Sequence, residues 1–81
     1  MTQSAADQLT SIIVDVLRVP RSEVADALDM EETGTWDSLS HMQLIAALEE
    51  EFSMELTADE IVSMRSVGQI KNVLRAKSIE I

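Results

Sequence analysis

The sequence predicts an all-α protein: a four-helix bundle with three longer helices, one short third helix, and a long loop between the first two. Three observations carry this reading. Apolar residues recur at helical spacing in separate stretches, a Ser, Thr or Asp heads each stretch as a helix cap, and no stretch alternates as a strand would. The palette agrees, since hydrophobic residues make up 46% of the chain and aromatics only 2%, leaving Leu, Ile, Val, Ala and five Met to build the core. Eighty-one residues gain too little buried surface to divide between two cores, so a single domain over residues 1–81 is expected.

In the first stretch, Leu9, Ile12, Ile13, Val16 and Leu17 form one stripe of an amphipathic helix, with Ser4 and Asp7 spaced as a capping box. The predicted helix covers about residues 4–18 and ends because Pro20 excludes Val19 from helical geometry. From there to Gly34 no period is sustained. Val24, Leu28 and Met30 are spaced to pin this long loop to the bundle through a helical turn around Ser22 to Leu28, while Asp29, Glu31 and Glu32 face water.

Asp37 caps the second helix, about residues 38–52, whose buried stripe is Leu44, Ile45, Leu48 and Phe52. Thr57 and Glu60 form a capping box for a short third helix, about 58–63. A similar pair, Ser66 and Gln69, opens the last helix, in which Val67, Ile70, Val73 and Leu74 mark the buried face as far as about Lys77.

Charge is segregated along the chain. The net charge is −9, yet Glu23 to Glu60 contains twelve acids and no Lys or Arg, whereas the flanks are net positive. Such a block repels nucleic acid and anionic lipid and attracts basic protein surfaces over about 8 Å at physiological salt. A solvated face that keeps a small protein soluble would look the same. With no Cys there is no disulfide framework and no cysteine-ligated metal, and any thiol chemistry must come from a cofactor. No stretch approaches the roughly 18 apolar residues of a membrane span, and Met1-Thr2-Gln3-Ser4 lacks a signal peptide's basic start, so a cytoplasmic monomer is expected.

The candidate site is Ser38. It stands in the first turn of the second helix, where unpaired N–H groups and the helix dipole favour a phosphate by about 0.3–1 kcal/mol. A plain helix-start serine would occupy the same position. Next to it, Leu39, Met42 and Ala46 form a second apolar strip, well separated from the buried stripe. That strip either faces a partner or widens the core face.

The run Asp37-Ser38-Leu39, the Leu48-Glu49-Glu50-Glu51-Phe52 that closes the same helix, Thr57-Ala58-Asp59-Glu60-Ile61, and Ser66-Val67-Gly68-Gln69-Ile70 together closely resemble the acyl carrier protein family. The resemblance spans nearly the whole chain. It implies that Ser38 receives 4'-phosphopantetheine from coenzyme A through a phosphopantetheinyl transferase, with Asp37 and Leu39 beside it, and that the arm carries acyl or aminoacyl groups as thioesters. It also implies that the protein has no catalysis of its own. The expected partners are an acyl-activating ligase or synthase and acyltransferases with basic docking patches, meeting a face that includes Trp36, Asp37, Leu39, Met42, Ala46 and Glu49. Nucleic acid is not an expected partner.

Some residues depart from the fatty-acid synthase version of the family. Gly34 lies three residues before Asp37 instead of two, Trp36 precedes the motif, Ser40-His41 replaces an acidic start, and Gln43 stands where an acid is usual. The resemblance therefore implies a specialised, discrete carrier with dedicated partners. Trp36 either anchors the loop or meets the partner, and His41 is expected on the surface.

Three rivals fit less well. A peptidyl carrier would use the same arm, but its Gly-Gly before the Ser is absent. Asp29, Glu31 and Gly34 match the first half of an EF-hand, yet position twelve is Ser40 where a bidentate Glu is needed. A hydrolase built on Ser38, His41 and Asp37 lacks a strand-turn-helix elbow and an oxyanion hole.

Overall fold

The computed structural model describes residues 3–81; Met1 and Thr2, part of the N-terminal stretch read above for a signal, lie outside the described residues. Four α-helices follow one another: α1 (Ala5–Leu17), α2 (Ser38–Glu51), α3 (Ala58–Ser63) and α4 (Val67–Ala76). The predicted architecture stands, and no strand occurs among the described residues.

Helix starts follow the side-chain caps. Ser4 accepts from the Asp7 N–H, Asp37 from Ser40, Thr57 from Glu60 and Ser66 from Gln69. Only two of these are reciprocal boxes. Glu60 returns a bond to the Thr57 N–H at 2.8 Å, and Ser40 returns one to Asp37 at 2.9 Å. The boxes expected at Ser4 and Ser66 are half boxes: Gln69 reaches past Ser66 to accept from the Arg65 N–H at 3.0 Å.

Helix ends depart further from expectation. Pro20 does not stop α1; Arg18 does, in a left-handed conformation (φ 56°) with its N–H bonded to the Val14 carbonyl. Pro20 instead precedes a 3-10 turn, Arg21–Glu23, which is all the helix found in the loop segment where a longer turn was expected.

The core draws Leu9, Ile13 and Leu17 from α1, Leu44, Ile45 and Leu48 from α2, and Val67, Ile70 and Leu74 from α4, with Trp36 and Met64 from the connections. Val24, Leu28 and Met30 pack against this cluster, as their spacing predicts. The loop is also fastened by its backbone. Met30 N–H donates to the Arg65 carbonyl at 2.8 Å, while the Val67 and Gly68 N–H groups donate to Leu28 and Asp26 at 3.0 Å each. A Cβ at position 68 would lie 3.3 Å from the Asp26 carbonyl oxygen, so glycine permits this close approach.

Unlike the other helices, α3 buries none of its residues fully. Six residues cannot sustain a helix alone. Polar contacts fix it at the rim: its capping box, a Lys77–Glu60 ion pair at 3.0 Å, and a bond between the Ile61 carbonyl and His41 of α2 at 2.8 Å.

Candidate functional site

Ser38 is the first residue of α2 and is exposed. Among the described residues, no hydrogen bond engages its hydroxyl. The local fold explains why it is free. Asp37 caps the helix, and Ser40 completes the box and also donates to the Thr35 carbonyl, so the polar work of the helix start is done on either side of Ser38. The Ser40 N–H, then the Ser40 hydroxyl, hold the Asp37 carboxyl below its ordinary range, with the Leu39 N–H adding to them.

Below Ser38 lies a groove of about 230 Å³ between α2 and α3. Met30 and Met42 line one part of it, Ile61 and Val62 of α3 another, and Arg65 stands at its edge. Large apolar side chains are exposed around it: Leu39 at 71%, Met42 at 54% and Val62 at 70%. Ala46 is exposed as well. The strip of Leu39, Met42 and Ala46 thus faces solvent and does not widen the core.

Other site residues behave differently from the sequence reading. Of the two roles weighed for Trp36, anchoring the loop holds and partner contact does not, since it is only 2% exposed. In a chain with two aromatic residues, its indole is the largest apolar group available to fill the space over α2. His41 is not a surface residue. It is 8% exposed because both ring nitrogens find partners inside: the indole N–H of Trp36 donates to Nδ1 at 3.0 Å, and Nε2 bonds the Ile61 carbonyl. Glu49 is half-buried and accepts from the Leu56 N–H at 2.8 Å, so its carboxylate ties the end of α2 to the following loop. Val62 was not singled out as a site residue, because a helix of six residues is too short to show which face is exposed.

The loop that resembled half an EF-hand follows a three-residue 3-10 turn where an EF-hand has an entering helix, and the Asp29 carboxylate accepts from the Glu32 N–H at 2.9 Å. No group of three or more potential metal ligands occurs among the described residues.

A free hydroxyl on a capped helix start, beside a groove and exposed apolar residues, is the surface needed to take a bulky ester without unfolding anything. A family model described as the phosphopantetheine attachment site matches residues 7–74. The chain belongs to this family. Its prosthetic group is 4'-phosphopantetheine, and the domain is a carrier of the acyl carrier type, served by a phosphopantetheinyl transferase and by biosynthetic enzymes. The residues present fit the group: the exposed Ser38 hydroxyl lies on the rim of the groove, with no side chain bonded over it. None of the helices among the described residues is long and apolar enough to cross a membrane.

Proposed function

We propose that this protein is an acyl carrier protein that bears the arm on Ser38 and delivers acyl or aminoacyl groups to partner enzymes. The observation that carries the proposal is the unengaged, exposed hydroxyl of Ser38 at the start of α2, within a family defined by attachment of this group. When bound, the arm supplies a terminal thiol that holds acyl groups as thioesters, in a chain that has no cysteine of its own.

The protein's own residues do the rest. Asp37 and Ser40 fix the backbone on either side of Ser38, so that its free hydroxyl is presented to the transferase from a capped helix start. Leu39, Met42, Ala46 and Val62 offer an apolar contact next to the attachment point, and the surrounding acids select partners with Lys and Arg patches. A tether makes the second encounter intramolecular, raising the effective concentration of cargo at a partner's active site. A cytoplasmic, monomeric carrier in lipid or secondary-metabolite synthesis is the form this reading takes.

The test is intact mass after incubation with coenzyme A and a broad-specificity phosphopantetheinyl transferase. Wild type gains one arm, and Ser38→Ala gains none. Equal labelling of the alanine variant, or no labelling of wild type, overturns the proposal.

A further inference from the structure

The start of α2 is poorly prepared for a second anion. The Ser40 N–H there already serves the Asp37 carboxylate, at 2.9 Å. A phosphodiester on Ser38 therefore adds a negative charge next to one already present, in a chain of net charge −9. It needs a cation from elsewhere.

Between Glu23 and Ile70, Arg65 is the single Lys or Arg. It lies on the same groove as Ser38. Two cations near the C-terminal end are used structurally: Lys71 of α4 pairs with Asp26 at 2.7 Å, and Lys77, just past α4, with Glu60 at 3.0 Å. Arg65 makes no ion pair among the described residues, although Asp29 and Glu31 share a shallow depression with it on its other side. Asp29 is committed to the Glu32 N–H instead. The backbone around Arg65 is fixed at both polar groups, since its N–H donates to Gln69 and its carbonyl accepts from Met30. Arg65, without an ion pair among the described residues, thus lines the groove shared with Ser38 from a connection between α3 and α4 whose backbone is fixed.

We propose that Arg65 is the counter-ion of the prosthetic phosphodiester and draws the first part of the arm over the groove between α2 and α3. The proposal rests on Ser38 being the attachment point. Guanidinium suits the role because its planar fork matches phosphate oxygens and keeps its charge at any working pH. The groove walls supplied by Met42, Ile61 and Val62 then lie under the apolar pantoyl portion next to the phosphate. Arg65 acts here as a positioning residue, and releasing it from the phosphate lets the arm swing out toward a partner.

The test uses holo protein, with loading checked by mass, and reads the single phosphodiester resonance by phosphorus NMR. In wild type at about 0.01 M salt the resonance is displaced from its position in the same protein unfolded in urea. Raising the salt to about 1 M, where the screening length falls to about 3 Å, moves it back toward the unfolded position. Arg65→Gln loses most of the displacement at low salt, and Arg65→Lys keeps part of it. Circular dichroism identical to wild type shows that neither substitution disturbs the fold, as expected for an exposed side chain. If Arg65→Gln loads on Ser38 and shows the wild-type displacement, this inference fails and the carrier reading survives. If wild type does not load, both fail.

Discussion

The indole N–H of Trp36 is a donor only and the Ile61 carbonyl an acceptor only, so His41 between them must carry its hydrogen on Nε2 and accept at Nδ1. One buried ring thereby joins the loop, α2 and α3, with the two rings stacked at a centroid distance of 6.1 Å. Trp36→Phe keeps an aromatic ring in place but leaves Nδ1 buried without a donor. An unsatisfied buried polar atom costs about 1–3 kcal/mol. For a domain of this size, each kcal/mol lowers the melting temperature by about 4–8 °C. The expected result is a fall of at least several degrees in thermal melts, with loading of Ser38 retained because the indole does not touch the attachment hydroxyl. A melting temperature equal to wild type would show that the indole bond contributes nothing. The sequence offered anchoring of the loop as one role for Trp36, but its bond to His41 was not visible, because Trp36 lies outside any helical stripe and an isolated His next to a Ser resembles a surface residue. The exposure of Leu39, Met42 and Ala46 was legible from their angle on the helix.

Element boundaries show an asymmetry with a physical cause. Helix starts were readable because capping uses side chains, and Ser4, Asp37, Thr57 and Ser66 all cap where the sequence placed them. Ends were less readable because backbone conformation terminates these helices, and the residues that adopt it are not glycines. Arg18, Ser53 and Ser78 all have positive φ, at 56°, 50° and 67°. After α2, the Met54 N–H reaches back to the Glu49 carbonyl at 3.1 Å across left-handed Ser53; after α4, Ile79 does the same to Leu74 at 3.0 Å across Ser78. These are Schellman closures in which serine stands where glycine is usual. Left-handed geometry costs an L-residue about 1–2 kcal/mol, of which glycine's greater freedom in the unfolded chain returns about half. Ser53→Gly is therefore expected to stabilise the protein by about 0.5 kcal/mol, read as a higher urea midpoint with an unchanged slope. Destabilisation by this exposed substitution would mean that the Ser53 side chain has a role not seen in its hydrogen bonds.

At the scale of the molecule, the separation of charge along the chain becomes a division of labour between elements. Two cations reach back to the acidic middle, Lys71 of α4 to Asp26 on the loop and Lys77, just past α4, to Glu60 on α3, so the basic end of the chain holds down the loop and α3. Most of the other acids have no cation within ion-pairing distance among the described residues, and they repel one another. Salt should therefore act on this protein in two opposed ways. Raising ionic strength from about 0.01 M to about 0.15 M shortens the screening length from about 30 Å to about 8 Å. Repulsion inside the folded chain weakens, and the melting temperature rises; a magnesium salt achieves the same gain at lower concentration because a divalent ion concentrates more strongly near clustered carboxylates. Attraction to a basic transferase weakens over the same range, and the second-order rate of arm loading falls. Thermal melts and loading rates from one salt series separate the two effects. A melting temperature indifferent to salt would mean that the acids are spaced too widely to strain the fold, whereas a loading rate indifferent to salt would mean that apolar contact at Leu39, Met42 and Val62 governs docking and that the acidic block serves solubility alone.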